Sequence, residues 1–243
     1  MEQVLPQGEA ISCQTLPRLG PAHTKRLRKL WSYGRPVHVA QLEGVDFDLQ
    51  VHGFLETMDS GYNAAAVLTL TKMGLAHLNE ARQKLIAAQR PHHELGQRLA
   101  AYLRSKGLHT WENVEFSNPD WTQPRQWSVV RPDVFACLPS LKAKSAAPAI
   151  YEVKVSRADF LADLAKPEKR LAYAALAEAV YYCCPEGLIC KEELPEGFGL
   201  LCEVTEGQFE LRKNARRAKG FELAADTAMT LMVKRQVPLG DQE

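Results

Sequence analysis

The chain has 243 residues, enough for one large or two small domains, and 46% of them are hydrophobic, ample for a core. Its 30 Lys and Arg against 29 Asp and Glu leave a net charge of +1, which gives no global nucleic-acid signal, so DNA affinity would have to come from local patches. No apolar run could span a bilayer and no charged-then-apolar amino terminus resembles a signal peptide, so a cytoplasmic protein with no membrane partner and six reduced cysteines is expected.

Residues 1–22 hold three prolines and little periodicity and read as a flexible arm. From His23 the pattern turns helical. Thr24 can cap a helix whose apolar positions are Leu27, Leu30, Trp31 and Tyr33, with Lys25, Arg26, Arg28 and Lys29 elsewhere around it. A turn at Gly34-Arg35-Pro36 leads to a short helix, Val37–Leu42, and Asp46 opens a third helix carrying Phe47, Val51, Phe54 and Leu55. Asp59-Ser60-Gly61 turns the chain into an apolar strand at residues 65–71, and a last helix links the amino-terminal region to the rest. Three short helices, a strand with a turn, and Leu-Thr-Leu-Thr-x-x-Gly-Leu-Ala-x-Leu at 68–78 resemble a winged helix–turn–helix domain over 23–89. Its third helix carries Asp46, Asp48 and Glu56 and no Lys or Arg, which suits a phosphate-lined groove poorly. A dimerisation or partner-docking module is the competing reading.

Arg90-Pro91 is expected to mark the boundary, because proline disfavours helix through the residue before it. A new helix, His92–Lys106, then presents Leu95, Leu99 and Tyr102 or Leu103 on one face. Gly107 ends it, and Leu108–Phe116 reads as a strand. The polar loop after it contains Trp121, Gln123, Arg125, Gln126 and Trp127. Such residues can contact unstacked bases or backbone, although a loop half-packed on its own tryptophans is the commoner outcome.

The densest chemistry follows. Arg131-Pro132-Asp133 leads into an apolar strand, and Ala149–Val155 forms a second one that carries Glu152 and Lys154. Successive strand side chains alternate, so Glu152 and Lys154 share one face while Tyr151, Val153 and Val155 share the other. If the two strands pair, Asp133 can sit beside Glu152, giving two carboxylates and an ammonium at one sheet end. Ser156 can cap a helix with Phe160, Leu161 and Leu164 inward. Asp159 and Asp163 on that helix read as a solvated face. Pro167 breaks the helix, which resumes over Lys169–Ala177. Strands Val180–Cys184, Leu200–Val204 and Phe209–Leu211 follow, and an amphipathic helix covers Phe221–Val233. Cys183, Cys184, Cys190 and Cys202 lack the spacing of a metal site, and the first two continue an apolar strand, so core packing is expected. Arg212–Lys219 is the strongest local positive charge; taken alone it reads as a solvated surface.

Pro132-Asp133 followed by Glu152-x-Lys154 resembles the PD-(D/E)XK nuclease superfamily. More narrowly, Arg131-Pro132-Asp133, Tyr151-Glu152-Val153-Lys154-Val155-Ser156-Arg157-Ala158-Asp159-Phe160, Lys166-Pro167-Glu168 and the aromatic strand at Tyr181-Tyr182 are similar to MmcB-type bacterial DNA-repair proteins. The resemblance covers about residues 91–240 and says nothing of the first ninety. It implies an α/β fold over 90–243, a restriction-endonuclease-like mixed sheet flanked by helices, preceded by the small winged-helix domain. It further implies a metal-dependent deoxyribonuclease in DNA repair or processing. Asp133, Glu152 and the Val153 carbonyl would bind magnesium, or manganese in its place, and Lys154 would orient a water or steady the phosphate. Glu94 has two readings: the first-helix glutamate that this superfamily aims at its metal, or a dipole-favouring residue paired with Arg98. In the nuclease context Arg125, Arg131, Arg212, Lys213, Arg216 and Arg217 are the expected DNA contacts. The competing readings are a catalytically silent DNA-binding or repair-complex docking protein, and a restriction-type endonuclease; a homodimer or repair-protein partner would engage the amino-terminal domain.

Overall fold

Backbone hydrogen bonding sets the elements of the protein, whose computed structural model describes residues 19–34, 37–38, 42–59, 66–117 and 129–234. The chain divides into two units, residues 1–88 and 89–243. No helix among the described residues is long and apolar enough to cross a membrane.

The first unit contains helix α1 (Pro21–Ser32), strand β1 (Val37–His38), helix α2 (Gly44–Val51), strands β2 (Leu55–Asp59) and β3 (Ala66–Leu70), and the start of α3 (Lys72–Ser105). α1 begins three residues before Thr24, on Pro21, whose missing N–H costs nothing in a first turn. Val37 and His38 do not form the expected helix. They pair with Leu68 and Val67, giving an antiparallel sheet of order β1-β3-β2 in which β3 supplies the backbone partners that one isolated helical turn would lack. Residues 39–41 of that expected helix lie outside the described residues. α2 is also shorter than expected. Gly53, at φ +74°, turns the chain after Val51, so Phe54 and Leu55 belong to the turn and to β2. The core is Leu27, Leu30, Leu49, Phe54, Leu55 and Leu68, while Phe47 and Val51 of α2 are 58% and 82% exposed.

One of the basic residues of α1 is internal. Arg26 is buried and donates to both carboxylate oxygens of buried Asp46, at 2.8 and 2.7 Å, and to Glu43 at 2.6 Å. The planar guanidinium matches a carboxylate with two parallel bonds, so this pair ties α1 to α2.

α3 runs unbroken through Pro91, contrary to the expected stop at Arg90. Proline removes the donor to the Ala87 carbonyl, but both residues are exposed and water can take its place. The division between the two units falls within this helix.

The second unit is built on a six-stranded mixed sheet. Its strands are β4 (His109–Glu112), β7 (Val134–Cys137), β8 (Ala149–Val153), β9 (Ala179–Pro185), β10 (Gly199–Thr205) and β11 (Gln208–Lys213), in the order β11-β10-β9-β8-β7-β4. β8, β9 and β10 run parallel and the flanking pairs antiparallel. The strand expected over Leu108–Phe116 is split. Asn113, at φ 51°, donates its N–H to the Asp133 carbonyl, and the chain leaves the sheet to form a separate pair, β5 (Phe116–Ser117) with β6 (Val129–Val130). Between β8 and β9 the crossover contains α4 (Arg157–Leu164) and α5 (Pro167–Leu176), and α6 (Ala225–Val233) starts four residues later than expected.

Strand alternation sorts the sheet's two faces. Val134, Ala136, Tyr151, Val153, Tyr181 and Cys183 pack with Leu95, Leu99 and Leu103 of α3. Phe135, Cys137, Ile150 and Val180 pack with Tyr173 of α5 and Leu231 of α6. Tyr182, Cys184, Leu200 and Cys202 meet Phe160 of α4. Cys183, Cys184 and Cys202 are thus core residues, whereas Cys190 is exposed. At Gly199 in β10 any side chain would collide with the Tyr181 ring and come within 2.7 Å of the Ala215 nitrogen, so this position admits only glycine without movement.

The buried Arg26–Asp46 pair gives the first prediction. Arg26→Met or Asp46→Leu alone leaves its partner's charge buried and should cost about 3–5 kcal/mol in urea unfolding of the first unit. The double variant should recover most of that loss. Single and double variants of equal, small effect would show that the pair does not hold α1 to α2.

Candidate active site

The site lies at the start of β7 and the end of β8, where β8 hands over to the α4–α5 crossover. Val134 pairs with Tyr151 in antiparallel register, so Asp133 falls opposite Glu152. The Asp133 carboxylate accepts the Val153 N–H at 2.8 Å, and His92 Nε2 of α3 lies 3.2 Å from the same oxygen. Glu152 projects to the opposite face from Val153, under α4 and α5, where it is 4% exposed. Lys154 lies beyond the strand's last residue, held by its N–H to the Cys183 carbonyl at 2.8 Å, and its ammonium donates to Glu152 Oε1 at 2.9 Å.

The crossover helices complete the cluster. Lys169 also donates to Glu152 Oε1, and it donates to Asp163 Oδ1 at 2.8 Å. Tyr173, one turn after Lys169, donates its hydroxyl to Glu152 Oε2 at 2.7 Å. Tyr182 of β9 donates to Asp163 Oδ2 at 2.7 Å, and Lys154 Nζ lies 3.5 Å from Asp163 Oδ1 and 3.7 Å from Asp159. Ser156 caps α4 by accepting the Asp159 N–H, which fixes the start of the helix that carries Asp163. Arg170 donates to the Asp163 and Leu164 carbonyls, so the corner between α4 and α5 is satisfied by the helix that follows it.

Burial and charge act against each other throughout this cluster. Burial raises the Glu152 carboxyl above its ordinary value, Asp133 adds to the rise, and the two lysines oppose it. For Lys154 and Lys169 burial disfavours the charge, but Glu152 and Asp163 more than offset it and both ammoniums are raised. Burial pushes Asp163 up, yet the bonds from Lys169 and Tyr182 outweigh it and hold this carboxyl low. The Tyr173 hydroxyl is raised by burial and then by Glu152, so it remains a proton donor.

Of the residues expected here, Asp133, Glu152, Lys154 and the Val153 backbone come together. Glu94 is paired with Arg90 at 2.7 Å, not with Arg98, which binds both oxygens of Glu203; the α3 side chain on Asp133 is His92. Arg131 is exposed, 3.8 Å from Glu115, and Arg125 lies outside the described residues with the rest of the tryptophan-bearing loop. The basic run is largely spoken for: Arg212 pairs with Glu186 and Glu210, Arg216 with Glu196 and Arg217 with Glu178, while Lys213 donates to the Lys191 carbonyl.

Sequence reasoning missed His92, Asp163, Lys169, Tyr173 and Tyr182. A signal existed for two of them. Asp163 stands in the last turn of α4 and Lys169 in the first turn of α5, each at the helix end whose dipole disfavours its charge. Opposed charges on either side of a corner imply a shared partner, and here they bind each other.

The residue types fit a hard divalent cation, since magnesium commonly takes one or two carboxylates with water completing its shell. The arrangement differs from an open site. Both Glu152 oxygens are engaged, and among the described residues no group of three or more His, Cys, Asp or Glu is arranged to hold a metal ion. Two ammoniums stand on Glu152 where a metal's positive charge would act.

Comparison with known proteins adds one likeness. No family model and no curated protein matches the sequence. A solved structure of a protein of unknown function from Silicibacter pomeroyi is similar, at 25% identity and a TM-score of 0.42, over 59% of this chain and 82% of that one.

The His92–Asp133 contact predicts a titration. The hydrogen bond to Asp133 raises His92 above its ordinary 6.5, with burial opposing. Stability from this pair is therefore fully present below 6.5 and is lost as pH rises through the raised value. An NMR titration of His92 should give a midpoint above 6.5 that falls in Asp133→Asn. The same midpoint in both proteins would remove the coupling.

Proposed function

We propose that the second unit is a metal-dependent DNA phosphodiesterase of the PD-(D/E)XK type, serving DNA repair or processing. The observation that carries this reading is the convergence of Asp133, Glu152 and Lys154 at one sheet end. Asp133 and Glu152, with the Val153 carbonyl, would hold magnesium or manganese, which when bound acidifies a water and offsets charge developing on the phosphate.

The chain's own groups do the rest. His92 and the Val153 N–H fix Asp133, and Tyr173 fixes Glu152, so neither carboxylate is free to rotate away. Lys154 is a compact point charge beside Glu152, suited to orienting a water or steadying a non-bridging phosphate oxygen. Arg131, Arg212, Lys213, Arg216 and Arg217 are proposed to meet the DNA backbone. Arg212, Arg216 and Arg217 form ion pairs at the solvent-facing surface, which are weak, so a phosphate can exchange for the carboxylate.

The amino-terminal unit is proposed as a winged-helix-like docking module. Its order of helix, strand, helix and hairpin supports the likeness, and α2 argues against groove reading: it carries no Lys or Arg, and its exposed residues include Asp48, Phe47 and Val51. A catalytically silent DNA-binding or repair-docking protein is the second reading, favoured by the engagement of both Glu152 oxygens.

A panel of labelled duplex, nicked, flapped, branched and single-stranded DNAs, with magnesium or manganese, separates the readings. The wild type should cut at least one substrate, and Asp133→Asn, Glu152→Gln or chelator should abolish cutting. Lys154→Ala and Lys154→Arg should keep DNA binding within roughly tenfold while slowing cleavage about 100- to 1,000-fold. Salt-sensitive binding with no cleavage of any substrate would establish the silent reading instead.

A further inference from the structure

Lys169 has no role in the chemistry proposed above, yet it shares an acceptor oxygen with Lys154. Two like charges on one carboxylate oxygen repel each other, and Lys154 alone would neutralise Glu152. The two differ in depth: the Lys154 side chain is 4% exposed and the Lys169 side chain 20%, so Lys169 closes the cluster from its rim. Its place in the first turn of α5 is unfavourable to a cation, so the carboxylates hold it there and the helix does not.

We infer that Lys169 is a displaceable counter-ion, a positioning residue whose ammonium holds Glu152 until a divalent cation takes its place. The surroundings permit that exchange with little rearrangement. Asp163 Oδ1 already accepts from Lys169 at 2.8 Å, so the ammonium keeps a partner when it leaves Glu152. Tyr173 holds the other oxygen of Glu152, so the carboxylate stays behind when the lysine moves. Tyr182 fixes Asp163, and Arg170 fixes the corner between the helices, which confines the motion to one side chain. The device adds a second positive charge beside Glu152, whose carboxyl the neighbouring Asp133 raises, in the metal-free protein. It rests on the metal-dependent reading of the same site.

Two measurements test it without reference to cleavage. In the full-length protein, Mn2+ binding by calorimetry and by loss of the free-ion paramagnetic resonance signal should be at least about tenfold tighter in Lys169→Met, because a competing and repelling charge is gone. In the wild type, acetylation of Lys169 followed by mass spectrometry should quicken severalfold when Mg2+ is added, while Lys154 stays protected. The second measurement needs no variant and decides the matter if Lys169→Met does not fold. Mn2+ binding by the wild type with equal or weaker binding by Lys169→Met, or with Lys169 reactivity unchanged by Mg2+, would overturn the exchange and leave the metal site standing. No Mn2+ binding by either protein would overturn both.

Discussion

A carboxylate that is almost wholly buried dictates the architecture around it. Glu152 sits inside the sheet–helix layer, and an unpaired charge there would cost several kcal/mol. Its three donors come from three places: Lys154 from the residue after β8, Lys169 and Tyr173 from successive turns of α5. The crossover from β8 to β9 must therefore bend back over the strand end, and Pro167 starts the returning helix where Lys169 can reach. Asp163 extends the arrangement by giving both lysines a second carboxylate and recruiting Tyr182 from β9. Sheet order, helix corner and site chemistry are one constraint.

What was legible in the sequence was what depends on periodicity. Alternation along residues 149–155 separates Glu152 and Lys154 from Tyr151 and Val153, and the structure packs Tyr151 and Val153 against α3 with Glu152 on the other side. Pairing of the two strands allowed Asp133 beside Glu152 without fixing the register, which the structure sets through Val134 opposite Tyr151. Local stops were harder. Pro91 did not end α3, because an exposed helix tolerates one missing donor, and Asn113 ended β4 because a left-handed residue could pass the chain to a second small sheet. The helix that carries Phe47 and Val51 is only eight residues long and buries Asp46 and Leu49.

The partners of the buried charges were illegible for a different reason. Asp163 on a helix is indistinguishable by pattern from a solvated acid, and only the strand seventeen residues before Lys169 makes that lysine internal. Arg26 behaves alike in the first unit, where a residue set apart from the apolar positions of its helix is the buried partner of Asp46. Long-range pairing decided the fate of these charges, and composition carries no trace of it. The position of a charge against the helix dipole does leave a trace, as Asp163 and Lys169 illustrate.

The same logic reaches the surface. A chain with a net charge of +1 cannot raise a strong uniform field, and its most basic run meets a carboxylate at Arg212, at Arg216 and at Arg217. Any attraction for DNA at these positions is an exchange, carboxylate for phosphate, and the difference between two screened surface interactions is small. Under the proposed function, affinity would then grow with the number of phosphates engaged at once, and discrimination would be left to the buried cluster, where a dry setting makes each charge count for more. Among the described residues the buried charges of the second unit, Glu152, Lys154 and Asp163, stand together at the end of β8, so under the proposed nuclease reading the chemistry would fall there and not on the basic run.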